Sequence, residues 1–155
     1  MKEITEELVK KLIAQQFPVF GNLAIRSVKM QGHDNRTFRL GSDMLIRMPT
    51  AEAYALKVPK EQEWLPRLAP HLTTPIPIPL KMGRASEEYP FNFSIYKWLD
   101  GESANSITMD DKELEHIAID LAIFLRELQN IDPSDAPEPG LHNWWRGAQV
   151  SVYNK

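Results

Sequence analysis

The sequence predicts an α+β fold in two unequal parts: a five-stranded antiparallel sheet with accompanying helices, then a connector and the start of a helical part. Three observations predict it. Short β-rich runs separated by Gly32 and by Gly41-Ser42-Asp43 fill residues 24–48. The apolar run Phe93–Trp98 stops abruptly at Leu99-Asp100-Gly101. A continuous helical pattern then begins near Asp110. The expected boundaries are 1–98 for the sheet-bearing part, 99–109 for the connector and 110–155 for the helical part.

The first helix starts after a Thr5 cap, with Glu6 and Glu7 in its first turn where the helix dipole favours acids. Leu8, Leu12 and Ile13 form its apolar stripe, and Pro18 ends it. Strands follow at Ala24–Gln31, Arg36–Leu40 and Met44–Met48, an antiparallel meander. A helical stretch from about Glu52 to Ala69 offers Ala53, Leu56, Trp64, Leu65 and Leu68 as contacts, with a break expected at Pro59. Thr74-Pro75-Ile76-Pro77-Ile78-Pro79-Leu80 reads as an extended, stiff connector, the alternative being a ligand for a proline-binding module. Strands near Leu80–Arg84 and Asn92–Trp98 complete the sheet.

The helix Asp110–Gln129 carries its own message. Between Ile117 and Leu128 only Asp120, Arg126 and Glu127 interrupt the apolar residues, which therefore surround most of the helix circumference. It is expected to be buried on nearly all sides, yet little chain follows to bury it. Each Leu, Ile or Phe left exposed forgoes roughly 1.5–3 kcal/mol. The missing cover would be further sequence, a second copy of the chain or a rearranged fold.

Composition narrows the functional classes. With 155 residues, 43% hydrophobic, 25% charged and a net charge of −3, the chain is an ordinary globular domain without the basic stripe of a nucleic-acid binder. It has no cysteine, which excludes disulfides and thiolate metal sites and fits a reducing cytoplasm. Neither an apolar leader nor a run of about 18 apolar residues occurs, so no secretion signal and no membrane span is expected.

Two segments carry candidate chemistry. Leu45-Ile46-Arg47-Met48-Pro49 places a permanent positive charge in an apolar strand. Arg47 must reach solvent at an edge or point into a cleft, since an unpaired buried charge is too costly. In a cleft it would bind phosphate, held by Glu61 or Glu63 on the following helix. The turn Met30-Gln31-Gly32-His33-Asp34-Asn35 is either a plain hairpin or a backbone cradle for phosphate. His33 there is either solvated or an acid/base group. Asp132 and Asp135 read as helix-exit and turn residues.

Gly32-His33-Asp34-Asn35 with Phe38-Arg39-Leu40-Gly41, then Leu45–Pro49, then Lys60-Glu61-Gln62-Glu63-Trp64-Leu65-Pro66-Arg67-Leu68-Ala69, resembles the aminoglycoside phosphotransferase family. So do Ile76-Pro77-Ile78-Pro79, Tyr89-Pro90, Ser94–Glu102, His142-Asn143 and Arg146-Gly147, in the family's order over nearly the whole chain. The resemblance implies a protein-kinase-like N-terminal lobe, a hinge and the beginning of the C-terminal lobe. It implies phosphorylation of a small-molecule hydroxyl from ATP or GTP with Mg. Arg47 would hold the α/β-phosphates and Glu61 would be its helix partner, with Glu63 the fallback. Tyr96 would be the gatekeeper, the Lys97 carbonyl and Leu99 amide would meet the purine edge, and Gly32, His33 and Asn35 would cover the phosphates. Ile46 would be a wall of the base pocket.

The sequence departs from the family in one respect. The family's catalytic base and metal ligands come from a His-x-Asp-x-x-x-x-Asn loop and a later Asp. His33, His71, His116 and His142 are followed two residues on by Asn35, Thr73, Ala118 and Trp144. No catalytic or metal-binding residue is therefore expected in these 155 residues, and the chain alone is expected to be inactive. The phosphate acceptor is not legible. Trp144 and Trp145 read as packing under a loop, with an acceptor-site wall as the alternative. The rival reading is a non-enzymatic interaction or dimer-forming protein that uses the apolar helix 110–129.

Overall fold

Thr5 starts the molecule's first helix, α1 (Glu6–Gln16), by accepting the Leu8 amide on its hydroxyl at 3.3 Å. Val9, Leu12 and Ile13 are fully buried along one side, and the helix closes at Phe17, just before Pro18. The computed structural model describes residues 3–143 and 145–153, leaving out the His142 side chain.

Five strands follow: β1 (Ile25–Ser27), β2 (Asn35–Leu40), β3 (Met44–Pro49), β4 (Pro79–Gly83) and β5 (Phe93–Lys97). All pairings are antiparallel and the spatial order is β1-β2-β3-β5-β4. The last strand thus inserts beside β3 and leaves β4 at the edge. Because successive strand side chains alternate between faces, Phe38, Leu40, Met44, Ile46, Met48, Phe93 and Ile95 all enter one core with α1. Tyr89 joins that core, and its hydroxyl donates to the Pro49 carbonyl at 2.7 Å. The register puts the opposite face in two rows, Arg39–Leu45–Tyr96 and Thr37–Arg47–Ser94.

β1 is shorter than the expected Ala24–Gln31. Beyond Ser27 the Gln31 side chain stands in for the strand: the Thr37 amide donates to its Oε1 at 2.8 Å, and its Nε2 donates to the Thr37 carbonyl at 2.9 Å. The helical stretch also differs in detail. It divides into α2 (Glu52–Ala55) and α3 (Lys57–Leu68), with the break at Leu56 rather than Pro59. Pro59 sits in the first turn of α3, where its missing N–H has no helical partner to lose. Ala53 and Leu56 are exposed; Val58 is the buried contact, with Trp64, Leu65 and Leu68 half-buried.

Helix α4 (Asp111–Gln129) begins with a capping box: the Asp110 carboxylate accepts the Glu113 amide, and Glu113 accepts the Asp110 amide, both at 2.8 Å. The expected all-round burial is not met. Leu114, Ile117, Ile119, Leu121 and Leu125 are 45–53% exposed. Two contacts tie the helix to the chain before β4: Glu127 accepts the Thr73 amide and hydroxyl at 2.8 and 3.1 Å, and Ile117, Leu121 and Phe124 face Thr74–Pro77 across an open groove. Among the described residues no side chains cover the rest. Trp145 is 42% exposed rather than packed beneath a loop, and Trp144 lies outside the described residues.

Gly83 is required by packing. A Cβ there would overlap the ring of Phe93, which is fully buried and makes edge contacts with Phe17 and Tyr89. Gly83→Ala is expected to destabilise the fold by about 1–3 kcal/mol through overpacking, read as a lowered denaturant midpoint at unchanged m-value.

Candidate functional site

Alternation along β3 places Arg47 away from the core. Its Nη1 lies 3.5 Å from Glu61 Oε2 on α3. The same carboxylate oxygen accepts a 2.6 Å hydrogen bond from the buried Tyr96 hydroxyl on β5. The Arg47 guanidinium also lies 5.6 Å from the centre of the Tyr96 ring. A 3.5 Å pair that solvent partly reaches is worth at most about 1 kcal/mol. The short bond from Tyr96 is what fixes the carboxylate. Burial, with help from the Glu61 carboxylate, pushes the Tyr96 phenol well above its usual range, so it remains a donor. Glu63 instead pairs with Arg67 at 2.9 Å on the outer side of α3. Gln62 docks the helix on the sheet, donating to Ser94 Oγ at 2.9 Å and the Lys81 carbonyl at 3.2 Å.

The β1–β2 loop reaches the same place from the other side. Thr50, just after β3, pins it: its amide and hydroxyl donate to the Asp34 carbonyl at 2.9 and 3.1 Å, and its hydroxyl also reaches the His33 carbonyl at 3.0 Å. Asp34 Oδ2 then meets Lys57 Nζ, in the first turn of α3, at 3.3 Å. The His33 ring is almost wholly exposed, with Nδ1 3.2 Å from the Tyr54 hydroxyl. The Gly32 carbonyl accepts from Arg36 at 2.8 Å.

Between these elements lies a cavity of about 60 Å³, lined by Asp34, Asn35, Arg47, Tyr54, Lys57, Val58, Glu61, Ser94 and Tyr96. Ligand pockets run to about 300–1,000 Å³, so this one has the size of an anion and not of a nucleotide.

Of the residues singled out from sequence, the structure brings Arg47, Glu61, Tyr96 and Asn35 together here. Gly32 and His33 belong to the loop but do not line the cavity. Lys97 and Leu99 lie at the far end of β5. The Lys97 amide donates to the Ile78 carbonyl at 3.0 Å and the Trp98 amide to the Asp43 carbonyl at 2.7 Å, after which Leu99 leaves the sheet exposed. Ile46 is corrected: it is fully buried in the α1 core on the other face, and Leu45 shares the face of Arg47. Sequence reasoning named Asp34 only as part of the candidate turn and did not single out Tyr54 or Lys57 as lining residues. Lys57 stands one turn before Glu61 on α3, a spacing that was available as a signal.

These features fit what comparison with known proteins finds. The model of the phosphotransferase enzyme family matches residues 28–152, so the chain belongs to that family. No curated protein matches the sequence. Among solved structures, the GDP complex of aminoglycoside 2'-phosphotransferase-IIIa superposes with a TM-score of 0.78 at 20% identity, covering 97% of this chain and 48% of that one. The GDP and kanamycin complex of an APH(2'') enzyme gives 0.69 at 24% identity, over 80% and 42% of the two chains. ADP-bound APH(2'')-Ib gives 0.60 at 24%, over 86% and 43%. At these identities the likeness establishes the fold, a kinase-like N-terminal lobe with a five-stranded sheet. The chain spans about half the length of these relatives.

The Asp34 carboxyl is partly desolvated, which raises its pKa, but hydrogen bonds and charge from Lys57 and His33 outweigh this and hold it below the usual range. A lowered carboxyl binds fewer protons in the folded chain than in the unfolded one, so its stabilisation is complete above the ordinary aspartate pKa of about 3.9 and is lost as pH falls through the folded value. Wild type should therefore melt above Asp34→Asn at neutral pH, and thermal melts down to about pH 3 should show that gap closing.

Proposed function

We propose that this chain is the nucleotide-binding part of a small-molecule kinase that moves a phosphoryl group from ATP or GTP to a hydroxyl. The arrangement that carries the reading is Arg47 paired with Glu61, itself held by Tyr96, in a cavity under the β1–β2 loop. In this reading residues 1–98 are the lobe, 99–109 the hinge and 110–155 the start of the second lobe. Arg47 binds the α/β-phosphates. Gly32, His33 and Asn35 cover them with backbone amides. Tyr96 closes the back of the pocket, and the purine edge meets the Lys97 carbonyl and the Leu99 amide.

The assignment is supported by family membership and by relatives solved with GDP or ADP. The phosphate acceptor is a small hydroxyl compound of unassigned class. In this reading the ligands for the magnesium of such a reaction come from outside these 155 residues, as the family's catalytic-loop Asn and later Asp would supply them. The chain contains no His-x-Asp loop. As these 155 residues alone it binds nucleotide without transferring phosphate. No helix among the described residues is long and apolar enough to cross a membrane, and the absence of cysteine fits a cytoplasmic setting.

A second reading is favoured by one observation, the exposed apolar surface of α4: a protein that uses half a kinase fold to pair with its own copy. Light scattering separates the two readings, since a tight dimer that ignores nucleotide supports the second and a monomer that binds nucleotide supports the first.

For the first reading, calorimetric titration with ATP-Mg and GTP-Mg should give saturable binding by at least one of them. Loss of a charged hydrogen-bonding partner for phosphate should make Arg47→Ala bind about tenfold more weakly. Radiolabelled transfer to any acceptor above the uncatalysed rate would refute the inactivity of the chain.

A further inference from the structure

The cavity behind the β1–β2 loop holds more charge than the Arg47 pair. Two cations, Arg47 and Lys57, and two carboxylates, Glu61 and Asp34, line it, each cation beside one carboxylate. The two pairs are built differently. Glu61 is anchored from behind by the 2.6 Å Tyr96 bond, so its position does not depend on Arg47. Among the described residues no short hydrogen bond holds the Asp34–Lys57 pair, and Lys57 has beside it, apart from Asp34, only the Tyr54 ring, its centre 5.5 Å from Nζ. The Asp34 carboxylate contacts Lys57 at 3.3 Å and His33 at 3.5 Å, both long, and is 46% exposed.

The backbones and the side chains of this second pair also differ in freedom. Thr50 pins the Asp34 carbonyl and so keeps the carboxylate in the loop. Lys57 is based at the first turn of α3, next to the buried Val58, and carries its charge on a flexible four-carbon stem. Lys57 is therefore the part that can move. Its first position in α3 lies one turn before Glu61, so its stem starts on the same side of the helix.

We propose that Lys57 is a second phosphate-binding cation, that Asp34 is its resident counterion, and that an incoming polyphosphate takes Lys57 over from Asp34. The inference rests on the nucleotide reading given above. Its consequence is a pair of opposite effects. Removing the Lys57 charge takes away an attraction for phosphate. Removing the Asp34 charge takes away both a repulsion and the competitor for Lys57. A pair that merely latched the loop to α3 would respond in the same direction to either change, because both break the same contact.

The test compares wild type, Lys57→Gln, Lys57→Arg, Asp34→Asn and Arg47→Ala by calorimetric titration, each first checked for folding by circular dichroism. The probes are ATP-Mg, GTP-Mg, sodium tripolyphosphate and adenosine. Lys57→Gln should weaken binding of the triphosphates and of tripolyphosphate about tenfold, the size of one charge-assisted contact. Asp34→Asn should strengthen it severalfold, roughly the effect of one removed like charge near the surface, and Lys57→Arg should retain most of the affinity. Adenosine binding should be unaffected by all three.

If wild type binds nucleotide and Arg47→Ala weakens it, but Lys57→Gln matches wild type or Asp34→Asn weakens binding, this proposal falls and the nucleotide reading stands. If wild type binds tripolyphosphate through Lys57 but shows no preference for a nucleotide, the nucleotide reading falls and Lys57 keeps its assignment. Binding of none of the probes overturns both.

Discussion

The alternation of β3 is the constraint from which the site follows. Met44, Ile46 and Met48 must all face α1, because that is where the core is and they are nearly or fully buried there. A strand has only two faces, so Leu45 and Arg47 are committed to the other one. A guanidinium on a sheet face covered by a helix needs a carboxylate, and α3 supplies Glu61. Tyr96 is placed by the same rule on β5, in register with Leu45. Shifting β3 by a single residue would exchange the two sets and put Arg47 in the core. The apolar side of the strand thereby fixes where its charge must go, and no separate device is needed to aim it.

Much of this was legible from patterns of period two and from caps. Thr5 and the acidic first turn mark α1, and the glycine turns delimit β2 and β3. The reading of Ile46 as a pocket wall went against that same alternation, since Ile46 and Arg47 are adjacent and must face opposite ways. Where the sequence was harder to read, side chains had replaced backbone. Gln31 bonds to Thr37 as a strand would, so eight residues of β-like sequence contain only three residues of β1. The break between α2 and α3 falls at Leu56, which carries no breaker residue, while Pro59 fits harmlessly into a first turn. Asp34 and Lys57 come together only because the loop and α3 approach in space. Their separation in sequence gives no hint of it.

Helix α4 shows what a pattern can and cannot report. Its apolar circumference is a true statement about the environment the sequence suits. Helices of that kind are stabilised by packing on several sides more than by propensity. The capping box and the Thr73–Glu127 bonds account for its start and for one anchor near its end, not for its middle turns. The matched relatives are about twice as long as this chain. The exposed leucines on α4 are apolar surface that the described residues leave without cover.

Helix α3 ties the two sides of the cavity to each other. It carries Lys57 and Glu61 one turn apart on one side, while Gln62 anchors it to Ser94 and to the edge strand. Through Lys57 it meets the β1–β2 loop, and through Glu61 it meets β3 and β5. A rigid helix cannot adjust one of these contacts by rotation without altering the other. Tilting α3 away from the sheet would lengthen both ion pairs together, whereas movement of the Lys57 stem alone would open one and spare Glu61. The Tyr96 hydrogen bond, short and shielded from solvent, makes the first kind of motion costly. The second is cheap, because it asks only for rotamer changes in a partly exposed lysine. The architecture therefore leaves adjustment at this site to the flexible side chains of the cations, with the glutamate and the tyrosine as the fixed side.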